Sequence, residues 1–173
     1  MTPLPDAEAG LAGHRDAVDR FVAAANAVPA ARWTEPAAPG KWSAAELTEH
    51  LSLTYDGVLR ELGGGPPARV RVRGLRRLII RLLVMPKFLG QGIVPPGVRA
   101  PREVVPQTAN PDRAAVLARF QDRASEFERA IASRLADRKG RVTHPFFGRL
   151  TMAQGLRFVE VHIRHHTKQI PSV

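Results

Sequence analysis

The sequence predicts an all-α fold, a four-helix bundle with a long basic crossover segment between its second and third helices. Four stretches of about 20 to 30 residues carry apolar side chains at helical spacing. No stretch shows the clear alternation of apolar and polar residues that marks a half-buried strand, and there is no internal repeat. A chain of 173 residues suits one domain, so residues 1–173 are predicted to form a single unit.

The first two helices have clear limits in the sequence. Apolar residues recur with helical periodicity over about 7–28, which predicts the first helix. The second helix is predicted over 43–62, because Ser43 and Glu46 stand three residues apart, as in a capping box. The run GGGPP follows it and ends it, since glycine and proline are the poorest helix formers.

The last two helices are delimited in the same way. The third is predicted over 111–139, because NPDR supplies an N-cap residue with proline at the first helical position. The fourth is predicted over 151–170, because Thr151 and Gln154 repeat the capping-box spacing and Pro171 follows the helix.

The basic insertion at about 63–106, between the second and third helices, carries nearly all the excess charge. The net charge is +10, from 26 Lys and Arg against 16 Asp and Glu. Between Leu62 and Arg102 there are eight arginines, one lysine and no acid, so +9 falls here and +1 on the rest. Within the insertion, RVRGLRRLIIRLLVMPKF predicts a basic amphipathic helix.

Three interpretations suit this amphipathic helix. Arg73, Arg77 and Arg81 follow one another at a spacing of four, beside a broad apolar surface. The helix is then a lid across the bundle with its arginines in water, an anchor on anionic lipid, or a cradle for an anionic substrate or thiol cofactor. A single arginine stripe without interleaved aromatic residues does not favour nucleic acid as a partner.

The absence of cysteine excludes several kinds of site. Disulfides, a thiolate zinc site and a cysteine nucleophile are ruled out, so any metal must take nitrogen and oxygen ligands. The N-terminus lacks the organisation of a signal peptide, and no apolar run approaches the roughly 20 residues that span a bilayer. We therefore expect a soluble cytoplasmic protein, and a homodimer is left open.

Histidines on the inner faces of two helices suggest a metal site. His162 and His166 are four residues apart, so both project from one face of the fourth helix, and that face is apolar. His50 lies among the inward residues of the second helix. Three imidazoles that converge between helices can bind one ion and leave a coordination position open. The alternative is an ordinary core histidine at each position, hydrogen-bonded to a carbonyl or a side chain.

The other three histidines are assigned no ligand role. His165 points away from the face that its neighbours share. His14 sits on the apolar stripe of the first helix and is predicted to lie at the edge of the core. His144 precedes a proline and is predicted to lie in a loop.

Two motifs resemble a known family. GKWSAAELTEHL, followed much later by HIRHHTKQI, resembles the DinB-like superfamily of four-helix bundles, and HPFFGRLTMAQGLRFVEVHIRHHTKQI looks like its domain-of-unknown-function branch. The residues that fit the superfamily pattern are Trp42, Ser43, His50, His162, His166 and Gln169. The resemblance covers the second and fourth helices directly and implies the other two.

The resemblance implies a divalent ion, nickel or zinc, held by His50, His162 and His166 near one end of the bundle. Characterised relatives include thiol-dependent transferases and isomerases that use bacillithiol or mycothiol, so a low-molecular-weight thiol is the candidate second cofactor. Gln169 follows His166 by three residues and is expected beside the site, where its amide hydrogen-bonds a ligand, a water or a substrate. The alternative is that Gln169 ends the helix and faces water.

The function that these observations favour is a metal-dependent enzyme for a small molecule, with thiol transfer or hydrolysis as its reaction. No catalytic residue is assigned, because Glu49 and Glu160 lie on faces away from the histidines, and this favours transfer over general-base hydrolysis. The alternative is a noncatalytic metal-binding protein, or a protein that associates with a membrane surface through the basic amphipathic segment. Arg73, Arg77 and Arg81 are the candidates for contact with an anionic substrate or lipid.

Overall fold

The computed structural model describes residues 7–72, 74–95, 97–108 and 111–171, which are mostly helical and include a small two-stranded sheet. The helices are α1 (Ala7–Ala27), α2 (Ala44–Leu62), α3 (Gly74–Ile79), α4 (Met85–Gln91), α5 (Arg113–Ala132) and α6 (Met152–Thr167). The shorter elements are the π-helical segment Ile80–Val84, the 3-10 turns Ala30–Arg32 and Arg102–Val104, and the strands β1 (Arg141–His144) and β2 (Gly148–Thr151).

Both predicted capping boxes are present. The Ser43 hydroxyl accepts a hydrogen bond from the backbone N–H of Glu46, and the Glu46 carboxylate accepts one from the Ser43 N–H. Thr151 and Gln154 form the same reciprocal pair at the start of α6. These bonds satisfy backbone donors that a helix start leaves unpaired, so they define where the two histidine-bearing helices begin.

The long helices pack in pairs around the core. α1 lies along α6, α2 lies along α5, and α1 also contacts α5. The largest fully buried side chains of these helices include Phe21, Leu47, Leu51, Tyr55, Phe120, Phe127, Ile131 and Ile163. His14 belongs to this core rather than to its edge, because only 1% of it is exposed and its Nε2 lies 2.7 Å from the Tyr55 hydroxyl.

The region between α5 and α6 differs from the prediction. α5 ends at Ala132 instead of 139, and β1 and β2 form an antiparallel hairpin in which His144 pairs with Gly148. His144 is therefore the last residue of a strand and not a loop residue. Each strand has only four residues, too few to display the alternation that identifies a strand in a sequence.

Two features position the hairpin. The Glu61 carboxylate, near the end of α2, accepts hydrogen bonds from the backbone N–H and the hydroxyl of Thr143, both at 2.8 Å. Gly148 has a φ of 73°, a left-handed conformation that glycine adopts without steric cost and that reverses the chain here. The hairpin is thereby fixed to α2 and leads directly into α6.

The crossover segment contains the predicted helix. α3, the π-helical segment and α4 follow one another without interruption from Gly74 to Gln91. Phe88 and Leu89 are buried, and the Phe88 ring stacks on Phe158 of α6 with the ring centroids 5.4 Å apart. Among the described residues, none of the helices combines the length and the apolar composition that crossing a bilayer requires.

The crossover helix turns Arg77 and Arg81 toward the protein and its large aliphatic side chains toward solvent. A lid with solvated arginines would have the reverse orientation. Arg81 donates to two backbone carbonyls of the hairpin region, and the Arg77 guanidinium fills the space that a side chain at Gly148 would need. The large aliphatic side chains of the same helix are exposed instead. The lid interpretation therefore does not hold for Arg77 and Arg81, and Arg73 lies outside the described residues.

Candidate metal centre

Three histidines from two helices meet at one point. His50 comes from α2, and His162 and His166 come from successive turns of α6. The Nε2 atom of His162 lies 3.2 Å from Nε2 of His50 and 2.9 Å from Nε2 of His166. One nitrogen from each ring falls within 4.8 Å of the other two, so the structure brings together the three residues that the sequence proposes as ligands.

Hydrogen bonds on the far side of two rings define which nitrogen faces the centre. His50 Nδ1 lies 2.6 Å from the backbone carbonyl oxygen of Val104, and His166 Nδ1 lies 2.7 Å from Oε1 of Gln169. Both oxygens only accept hydrogen bonds, so each Nδ1 carries a proton and donates it. A neutral imidazole has one such proton, which leaves the Nε2 atoms of His50 and His166 with lone pairs directed at His162.

Neither neutral tautomer of His162 gives all the ring nitrogens of this group a hydrogen-bond partner. Its Nδ1 is buried and has no hydrogen-bond partner within the described ranges. If Nε2 carries the ring proton, two acceptors compete for it and Nδ1 is a buried acceptor without a donor. If Nδ1 carries the proton instead, three lone pairs face one another. A cation among the three Nε2 atoms would remove that repulsion.

The separations also suit a metal ion. Imidazole nitrogen binds zinc at about 2.0 to 2.1 Å, which places two ligand atoms of a tetrahedral site about 3.3 Å apart. The observed Nε2 separations of 3.2 Å and 2.9 Å are close to that spacing. The spacing of His50, His162 and His166 is therefore compatible with a bound divalent ion.

Burial keeps the three imidazoles neutral near pH 7. It lowers the pKa of His166 to about 3, and it lowers the pKa of His50 below the ordinary value. For His162, burial first and then the charges of neighbouring histidines hold the pKa well below the ordinary value. The neutral ring is the form that binds a metal, because protonation removes the lone pair.

Aromatic rings line this group of histidines. The centroid of the Trp42 ring lies 4.7 Å from that of His50, and Phe158 stacks on His162 at 5.4 Å. The ring of His144, at the end of β1, lies 4.3 Å from Phe158, and burial lowers the pKa of His144 to about 3. These rings exclude water from part of the site, which strengthens electrostatic interactions inside it.

Neither neighbouring acid joins the histidines. The Glu49 carboxylate accepts hydrogen bonds from the backbone N–H groups of Gln107 and Thr108 and from the Thr108 hydroxyl. The Glu160 carboxylate pairs with two arginines of α6. Among the described residues, the group that could hold a metal ion consists of histidines only, so it offers neutral nitrogen ligands and contains no carboxylate.

Gln169 lies beside the centre, in the turn just after α6, because that helix ends at Thr167 and not at 170. The residue is exposed, as the alternative expected, and its side chain also contacts His166. Its backbone N–H donates to the His166 carbonyl at 3.0 Å, which holds the turn. While Oε1 faces His166, the amide nitrogen lies 2.9 Å from Nε2 of His165. His165 therefore contacts Gln169 and stays outside the group of three.

Two parts of the centre have no signal in the sequence. Val104 contributes a backbone carbonyl, and since every residue has one, no residue type marks this role. His144 reaches Phe158, and through it the ring of His162, because of the hairpin, whose strands are too short for a recognisable pattern.

Comparison with known proteins adds one finding. The family model described as the DinB superfamily matches residues 14–170, from within α1 to the turn after α6, and the match includes the three histidines and Gln169. Neither the curated proteins nor the solved structures give a match. Because the family match covers most of the chain, this protein belongs to the DinB superfamily.

Proposed function

We propose that the protein is a metal-dependent enzyme that acts on a small molecule, with nickel or zinc bound by His50, His162 and His166. The observation that most supports the proposal is the convergence of the three Nε2 atoms. Hydrogen bonds at Nδ1 of His50 and of His166 keep the ring proton there, so the Nε2 atom of each ring has a free lone pair. Membership of the DinB superfamily is compatible with such an enzyme.

The proposal includes the architecture around the site. We infer that α1, α2, α5 and α6 form the four-helix bundle expected from the sequence, and their packing in pairs supports this. Bundles of this kind build metal sites from side chains on facing helices, and here α2 supplies one histidine and α6 two. We expect the enzyme to work in the cytoplasm, where small thiols are kept reduced.

The residues of the chain have distinct tasks in this proposal. Val104 and Gln169 orient His50 and His166 so that Nε2 faces the centre. Trp42 and its aromatic neighbours limit the access of water. When bound, a divalent ion with neutral ligands supplies Lewis acidity that makes a water or a thiol nucleophilic near pH 7.

Thiol transfer is the reaction that we favour over hydrolysis. General-base hydrolysis needs a proton acceptor within hydrogen-bond reach of the attacking water. The Glu49 and Glu160 carboxylates have other partners, which leaves no carboxylate of the described histidine group for that task. A metal held by His50, His162 and His166 would lower the pKa of a bound thiol, so the thiol proton would pass to bulk water and no such base would be needed. Thiols of the bacillithiol or mycothiol class are therefore the proposed second substrate.

Consumption of a thiol by the metal-loaded protein tests the proposal. Protein stripped with a chelator and reloaded with nickel or zinc should remove free thiol only when an electrophilic acceptor is also present. The His162→Ala variant should show no such activity, because it lacks the ligand that both other histidines face. Metal uptake without thiol consumption, across a panel of thiols and acceptors, would contradict thiol transfer. If the acceptors were not hydrolysed either, the result would identify a noncatalytic metal-binding protein.

A further inference from the structure

A row of large aliphatic side chains on the crossover helix faces away from the protein. We call this surface the leucine face; its members are Leu75, Leu78, Ile79, Leu82 and Leu83, with exposed fractions of 71%, 52%, 46%, 63% and 62%. Their spacings of three and one place them on one side of the helix. Single exposed leucines are ordinary on a protein surface, but several neighbours together mark an interaction site.

The opposite side of the same helix is already packed. Arg81 donates to the backbone carbonyls of Phe147 and Arg149 at 3.2 Å and 2.9 Å. Ile80 and Val84 are partly buried against the core. The leucine face cannot turn inward without breaking these contacts, so its exposure is a consequence of the fold.

The surroundings of the leucine face are cationic. From Leu62 to Arg102 the chain has eight arginines, one lysine and no acidic residue. Arg76 and Lys87 lie in the same helical stretch, both are exposed, and neither pairs with a carboxylate of the described residues. An apolar helix face with exposed basic side chains nearby is typical of helices that lie on anionic membrane surfaces.

We propose that the leucine face binds an anionic lipid surface, with its aliphatic side chains at the headgroup–acyl boundary and Arg76 and Lys87 among the phosphates. A bilayer with acidic lipids offers an apolar layer and negative charge together. A second copy of this chain matches the face less well, because two segments that each carry +9 would be brought into contact. The proposal does not depend on the metal centre.

Flotation of the full chain with lipid vesicles tests the proposal. We expect the parent protein to float with phosphatidylcholine vesicles that contain about 30% phosphatidylglycerol, and to stay behind with phosphatidylcholine alone. Leu82→Glu with Leu83→Glu should weaken binding to the acidic vesicles at least tenfold, because it places charge in the apolar layer. Arg76→Glu with Lys87→Glu should weaken it by a similar factor and make the remaining binding less sensitive to salt.

A matched control for the Leu82→Glu, Leu83→Glu variant adds the same two negative charges elsewhere. Ala114→Glu with Ala118→Glu changes two exposed residues of α5 and should float as the parent does. Thermal melting followed by circular dichroism establishes that each variant is folded. The two leucines and the two basic residues are changed in separate variants. If one of these variants does not fold, the other still tests the proposal.

Three outcomes would overturn the proposal. The first is a parent protein that floats with neither kind of vesicle, as expected if the face binds a protein partner. The second is equal flotation with neutral and acidic vesicles, or equal flotation of the parent and of the Leu82→Glu, Leu83→Glu variant. The third is a dimer in light scattering that the same variant abolishes, which would identify a second copy of the chain as the occupant.

Discussion

The Oε1 atom of Gln169 accepts a hydrogen bond from Nδ1 of His166 across 2.7 Å. This bond keeps the imidazole proton on Nδ1, so the lone pair of Nε2 is directed at the other two histidines of the cluster. An amide in the turn after α6 therefore hydrogen-bonds a candidate metal ligand at the ring nitrogen that faces away from the other two histidines.

Replacing Gln169 by Ala should lower metal affinity by roughly 10 to 100-fold, because the His166 ring loses the partner that orients it. Titration of the chelator-stripped protein with zinc or nickel measures this change. Gln121→Ala is the matched control, since Gln121 is an exposed glutamine of α5 and its loss should leave the affinity unchanged. Equal affinities for the two variants would show that Gln169 has no part in metal binding.

Gly155→Ala should destabilise the protein by about 1 to 3 kcal/mol, because an added Cβ would lie 2.5 Å from Cγ2 of Val142 on β1. Urea unfolding gives the free energy. In a double-mutant cycle with Val142→Ala, the combined loss should be smaller than the sum of the two single losses, since the smaller side chain makes room for the added Cβ.

The control for this prediction is another helical glycine. Gly57→Ala meets nothing within 4 Å and should raise the free energy of unfolding by up to about 1 kcal/mol through helix propensity alone. Gly155→Ala that stabilised the protein as much as Gly57→Ala would contradict the close packing of α6 against β1.

Acid should destabilise the protein partly through His14. Burial lowers the pKa of His14 to about 4, from an ordinary 6.5, although Glu128 and Glu160 act in the opposite direction. Below pH 6.5 the unfolded chain therefore binds a proton that the folded protein does not, and stability falls as the pH falls toward 4. From pH 7 to pH 5 this contribution amounts to a loss of about 2 kcal/mol.

His14→Gln should abolish that contribution, because glutamine does not titrate and can still hydrogen-bond the Tyr55 hydroxyl. Urea unfolding of the metal-free parent and variant at pH 7 and pH 5 isolates the effect, since all other histidines are common to both. An equal loss of stability in the two proteins would mean that His14 is not held neutral in the core.

The elements that carry the candidate metal centre are predictable because their signals are local. The capping boxes at Ser43 and Thr151 depend on residues three apart, and these start α2 and α6. The spacing of His162 and His166 puts both on one helix face, and the apolar neighbours of His50 show which way it points. Short-range periodicity therefore identifies the three histidines and the helix face from which each projects, before any of their contacts is known.

The remaining features depend on contacts between distant residues. The role of Val104 rests on where its carbonyl falls relative to α2, and the hairpin is held by Glu61 and Thr143, which are far apart in the chain. Hydrogen bonds from Arg81 to the backbone of the hairpin region determine which side of the crossover helix faces the protein. Its pattern of leucines and arginines suits either orientation, so the sequence alone does not distinguish them.

Metal titration of two neighbouring variants tests the central claim most directly. His162→Ala removes the nitrogen that lies 3.2 Å and 2.9 Å from the other two, whereas His165→Ala changes a ring outside the group of three. We predict that the parent binds about one nickel or zinc ion per chain, that His165→Ala changes the affinity by no more than a few-fold, and that His162→Ala loses most of it. Equal losses in the two variants, or a parent protein that binds neither metal, would contradict the assignment of His50, His162 and His166 as the metal ligands.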